Sequence, residues 1–145
     1  MEFEASVRIE RPVEEVFDYV SDPRNFPRWN SAVQAVAVTS GEGEPGSTYV
    51  MERDLPGGRA QNDLEVVDRE RPTAFTIRTT SGPTPFLYRY SFESDDAATL
   101  MELAADVELT GIAGALGPLA SRIVKRGVDS NFGDLKRILE GGGAA

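Results

Sequence analysis

The sequence contains neither histidine nor cysteine. Without histidine it lacks the commonest general base, the usual zinc ligand and every Ser-His or Cys-His arrangement. Without cysteine there is no disulfide, no thiolate chemistry and no thiolate-bound metal. No apolar run approaches the ~20 residues of a membrane-spanning helix, and no Asn-x-Ser/Thr acceptor occurs. The first ten residues, MEFEASVRIE, are acidic and alternating, so they do not read as a signal peptide and the expected location is cytoplasmic.

Positive charge is also scarce. Fifteen Lys and Arg against 24 Asp and Glu leave a formal net charge of −9. Such a chain is repelled by a phosphate backbone or an anionic lipid surface unless its cations are concentrated in one patch. The one dense basic cluster, Arg122, Lys125 and Arg126, is short. No nucleic-acid partner is expected, and no metal or cofactor. Chemistry, if there is any, falls to carboxylates, lysine, arginine, tyrosine, hydroxyls and water.

The 145 residues, 40% of them hydrophobic, suit a single domain. We place it at residues 1–140, with 141–145 as a disordered tail. Phe3, Ala5, Val7 and Ile9 alternate with Glu2, Glu4, Arg8 and Glu10, the pattern of a half-buried strand. Val13, Val16, Phe17 and Val20 then form a helical stripe behind Pro12, with Glu14 and Glu15 in its first turn. Ser21-Asp22-Pro23 ends that helix, and Arg24 to Trp29 fit one further helical turn. Residues 31–109 read as strands and turns. The separators "LPGG", "RERP", "SGPTP" and "SDDAA" imply an antiparallel meander with one apolar and one wet face. Its cover is a long C-terminal helix, whose stripe we read as Leu119, Ile123, Phe132, Leu135 and Leu139.

This order of elements, with the stretches "IERPVEEVFDYVSDP" (9–23), Trp29, "GEPGSTY" (43–49), "VVDRERPTAF" (66–75) and "NFGDLKRILE" (131–140), resembles the START-like (SRPBCC) superfamily. Within it, the similarity is to the polyketide cyclase/dehydrase and lipid-transport branch. The resemblance implies an α+β helix-grip fold: a curved antiparallel sheet of about seven strands wrapped around a long C-terminal helix, with two short helices after strand 1. It also implies an elongated cavity between sheet and helix that holds an apolar or aromatic ligand. The small and adaptable residues at inward phase, Met51, Ala60, Thr79, Met101 and Ala105, agree with a partly hollow interior.

The expected ligand-facing residues are Trp29, Tyr49, Met51, Arg53, Asn62, Phe75, Ile77, Tyr88, Tyr90, Met101, Leu103 and Ile123. Trp29 either stacks on a ligand ring or plugs the space between helix and sheet, and a plug can also be a wall. The phenols of Tyr49, Tyr88 and Tyr90 either bind a ligand oxygen or reach the rim. Arg53 and Asn62 are polar residues at inward phase. An enclosed Arg53 needs a carboxylate, phenolate or carbonyl partner, whereas a position near the strand end would let it reach solvent. In cyclases of the resembled branch, an inward arginine can steady an enolate-like intermediate. No inward carboxylate pair or lysine is apparent, so no catalytic base is assigned.

Three functions follow as expectations. The first is a carrier of a small hydrophobic molecule, gated by residues 111–117 with the turns at 55–58 and 81–85. The second is a polyketide cyclase/aromatase or dehydratase using Arg, Tyr and water. The third is a protein-interaction module of the co-chaperone kind, which would have a filled interior. A homodimer is compatible with any of them.

Overall fold

Alternating apolar and polar side chains become strands, and the proline-marked breaks become helix ends and turns. The computed structural model describes residues 1–55, 58–109 and 118–141. In chain order the elements are β1 (Glu2–Ile9), α1 (Val13–Val20), a single 3₁₀ turn (Pro23–Asn25) and α2 (Phe26–Trp29). Then come β2 (Val33–Ser40), β3 (Thr48–Leu55), β4 (Gly58–Glu70), β5 (Ala74–Ser81), β6 (Phe86–Asp95), β7 (Ala98–Val107) and α3 (Pro118–Glu140). The strands form one curved antiparallel sheet in the order β1-β7-β6-β5-β4-β3-β2. Strands β2 to β7 are the expected meander, and β1 returns to pair with β7, Ile9 opposite Thr99 and Glu2 opposite Asp106.

The edge strand β2 holds no single phase. Its register against β3 slips between Val33 and Ala35 and again between Val38 and Ser40. A slip of one residue exchanges the two faces of a strand. Only Val33 of β2 is buried.

Two helical elements cover the concave face, each over a different half. At one end α1 inserts Val13, Val16, Phe17 and Val20, and Phe17 meets Phe92 of β6 edge-on, ring centroids 5.1 Å apart. Asp22 then opens the 3₁₀ turn by accepting from the Arg24 backbone N–H at 3.0 Å. At the other end α3 crosses the sheet. The C-terminal half of α3 is sealed, with Phe132, Leu135 and Leu139 buried. That half is also laced to the corner between β1 and α1. Arg11 Nε donates to the Leu139 carbonyl at 3.0 Å, the Glu10 N–H to Glu140 Oε2 at 2.8 Å, and Lys136 Nζ to the Arg8 carbonyl at 2.6 Å.

The N-terminal half of α3 departs from the expected stripe. Leu119 and Ile123 are 55% and 54% exposed, and the buried residue there is Ala120. The reason is helical phase. Phe132 lies thirteen positions after Leu119, and at ~3.6 residues per turn the two point roughly 140° apart. The stripe therefore belongs to two different faces. The residues expected to gate the interior at 111–117, half of the 55–58 turn, and the tail beyond 141 lie outside the described residues.

Candidate functional site

With α1 filling one half of the concave face, a hollow remains under the raised half of α3. It measures about 300 Å³, at the lower end of the range for small-molecule pockets. It lies where β3 and β7 end and β6 begins. Along β6, Phe86, Tyr88 and Tyr90 line it while Phe92 does not; along β3, Met51 and Arg53 do while Tyr49 does not. Trp29 and Phe26 of α2 close one side, Val107 and Leu109 another, and Ala120, Ile123, Val124 and Val128 of α3 form the roof.

The expected site residues therefore divide into two groups. Trp29, Met51, Arg53, Tyr88, Tyr90 and Ile123 line the hollow. Phe75, Ile77, Met101 and Leu103 share the inward phase but are fully packed in the core, Phe75 lying against Tyr90 with rings 6.1 Å apart. The phase of a strand tells which face a residue is on, but not which half of that face α1 has filled. Tyr49 is likewise displaced. It borders a separate polar cleft with Asp22, Arg24, Gly43 and Arg69. Sequence reasoning did not name Phe86, Val107, Leu109, Ala120, Val124 and Val128 as wall residues. The inward phase of Phe86 and Val107 was a usable signal, whereas the roof needed the helix orientation.

Trp29 is both plug and wall. It is 4% exposed, wedged between Phe26 at 5.7 Å and Phe132 at 6.3 Å between ring centroids. Its indole Nε1–H is buried with no hydrogen-bond partner among the described residues. Leaving a buried donor unpaired costs about 1–3 kcal/mol.

Arg53 does not reach solvent past the strand end; it is 9% exposed. Its Nε donates to Asn62 Oδ1 at 2.8 Å, and Nη2 to the carbonyls of Pro83 at 2.9 Å and Thr84 at 2.7 Å. Asn62 is wholly buried and does not line the hollow. It holds the same turn, giving Nδ2 to Ser81 O at 3.1 Å and Pro83 O at 2.9 Å. Gly82 permits this close clasp: its φ is +100°, and a Cβ there would lie 2.4 Å from the Gln61 carbonyl. Residues 81–85 are thus a pinned rim rather than a free gate. The guanidinium also sits over the Phe86 ring, Cζ 5.4 Å from its centroid.

Electrostatics follow from this enclosure. Burial pulls the Arg53 guanidinium below its ordinary pKa, opposed by the field of Tyr88. Burial pushes the Tyr88 phenol up, against the pull of Arg53, and holds Tyr90 well above the usual phenol range, with Tyr88 adding to it. Both phenols are therefore neutral donors at physiological pH. Among the described residues no cluster of acidic side chains could hold a metal ion. No helix among them is long and apolar enough to cross a membrane.

A seven-stranded grip, a long closing helix and a hollow between them define the START-like class of fold. Residues 1–140 match the family model described as polyketide cyclase / dehydrase and lipid transport, and the chain belongs to that family. A protein from Thermus thermophilus superposes with a TM-score of 0.81 at 18% identity, over 94% of this chain and 95% of that one. A START superfamily protein from Mycobacterium smegmatis gives 0.72 at 19% identity, over 97% and 94%. The di-domain ARO/CYC StfQ of the steffimycin biosynthetic pathway gives 0.69 at 12% identity, over 95% of this chain and 46% of that one. These likenesses are of fold. By sequence search, no curated protein is significantly similar. Family and fold are consistent with hydrophobic-ligand binding.

Proposed function

We propose that this protein binds a small hydrophobic or aromatic molecule, lipid- or polyketide-like, in the hollow between the sheet and α3. The observation that supports this most is the hollow itself, about 300 Å³ walled mainly by aromatic and aliphatic side chains. Removing ~300 Å² of apolar ligand surface from water is worth roughly 7 kcal/mol at ~25 cal/mol/Å², before association costs. Micromolar affinity then needs no catalytic group. A hollow of this kind speaks against the filled interior of an interaction module.

Cyclase or dehydratase activity is the second reading, favoured by one observation: Arg53 and the neutral phenols of Tyr88 and Tyr90 line the same space. Such donors could stabilise an enolate-like oxygen. The one carboxylate residue that lines the hollow, Asp54, is exposed and engaged by Gln34 and Arg59, which argues against its taking the proton.

The test is native mass spectrometry of protein purified from its own host, alongside titration of Trp29 emission with apolar ligands. A co-purifying small molecule, or saturable quenching of the single indole, is the expected result. An unliganded protein whose Trp29 emission no apolar compound moves would overturn the reading.

A further inference from the structure

Taking the hollow as a ligand site, its polar atoms say what kind of ligand it suits. Arg53 carries a full positive charge into an apolar space, yet all three of its acceptors are neutral: one side-chain amide oxygen and two backbone carbonyls. Nη1, the remaining arm of the guanidinium, has no partner among the described residues. Acidic groups nearby do not compensate. Asp54 borders the hollow, but its carboxylate is exposed, accepting from Gln34 at 2.9 Å and pairing with Arg59 at 3.7 Å. Glu52 and Glu108 are exposed. Residues 56–57 and 110–117, adjoining the hollow in sequence, include no acidic residue.

The other polar lining side chains, Asn30, Ser31, Thr84 and Asn131, are uncharged, and three further lining residues carry donors. The Trp29 N–H is buried and unpaired. The hydroxyls of Tyr88 and Tyr90, both on residues lining the hollow, have no acceptor among the described residues. A cation and three residues with neutral donors thus line a space whose one acidic lining residue, Asp54, has its carboxylate exposed and already engaged by Gln34 and Arg59. A buried charge without a counter-charge is costly, and the cost is relieved when a ligand brings one.

We infer that the physiological ligand carries an anionic oxygen head, a carboxylate, which docks on Arg53 Nη1 while its apolar body lies between the aromatic wall and α3. A carboxylate matches the planar guanidinium and can accept from more than one donor at once.

The test is calorimetric titration of the intact protein with two acid/ester pairs, 2-naphthoate against methyl 2-naphthoate and decanoate against methyl decanoate. The acid of at least one pair should bind at least about tenfold more tightly than its ester. Arg53→Gln should weaken the acid by about 30-fold or more and leave the ester nearly unchanged, erasing the preference. A purely structural loss would weaken both alike. Arg53→Lys should keep part of the preference, and the acid/ester comparison in the unaltered protein stands even if Arg53→Gln does not fold. Esters that bind as tightly as their acids would overturn the anionic head and leave the hydrophobic site standing. If no member of either pair binds, the site itself falls, and the head with it.

Discussion

The guanidinium of Arg53 donates through Nε to the amide oxygen of Asn62 at 2.8 Å, and the two side chains together clasp the turn between β5 and β6. Asn62 is wholly buried behind Arg53 and fixes the direction in which the charged fork points. One residue lines the hollow, and the other positions it.

Replacing Asn62 by alanine should therefore cost more than a surface change. It takes a partner from Arg53 Nε and from the Ser81 carbonyl, and leaves the Pro83 carbonyl to Arg53 alone, a loss of about 2–4 kcal/mol. Thermal denaturation of Asn62→Ala should show a drop of several degrees. An unchanged midpoint would mean the clasp is dispensable.

Gly127 lies in α3 on the roof of the hollow, and a Cβ built there meets nothing within 4 Å. Gly127→Ala should stabilise the helix by about 0.5–1 kcal/mol through helix propensity. It should also trim the hollow by one methyl group. Paired melting curves and ligand titrations should show a raised midpoint together with weaker binding of the bulkiest ligands.

Tyr88 and Tyr90 have folded-state pKa values raised by burial above the ordinary phenol value of about 10. For a raised pKa, the stabilising contribution is fully present below the unfolded value. It is lost as pH rises from there through the folded value. Ultraviolet titration should accordingly show these two phenols ionising only together with alkaline unfolding. Their ionisation in a still-folded protein would contradict the enclosure.

Glu140 behaves oppositely. The hydrogen bond from Lys136, and then the backbone N–H of Glu10, hold its pKa below the ordinary carboxylate value. For a lowered pKa, the contribution is present above the unfolded value of about 4.3 and is lost as pH falls through the folded value. Melting temperatures of the unaltered protein and Glu140→Gln should therefore differ at pH 7, with Glu140→Gln lower, and converge in strong acid. Parallel curves would mean that Glu140 does not tack α3 to β1.

Much of the framework was legible because it rests on short-range periodicity. Phe86, Tyr88, Tyr90 and Phe92 alternate as a strand must, and Asp22-Pro23 stops a helix wherever it stands. Phe75, Ile77, Met101 and Leu103 were misplaced because inward phase cannot distinguish packed core from cavity wall. Leu119 and Ile123 were wrongly joined to the packed stripe of Phe132, Leu135 and Leu139, because a stripe extended over thirteen residues accumulates phase error, although Ile123 does line the hollow. Tyr49 went astray for a third reason: it sits at the end of β3 that faces the Asp22 corner, a relation set by the meeting of distant segments.

From local chemistry alone came the absence of histidine and cysteine chemistry, the strand meander, the closing helix and the inward direction of Arg53 and Asn62. Alternation and turn residues act over a few neighbours, so they can be read along the chain. Which half of the concave face stays open, and that Arg53 meets only neutral acceptors there, was decided by how α1, α3 and the β5–β6 turn come together. Those contacts join residues dozens of positions apart, and no local pattern encodes them.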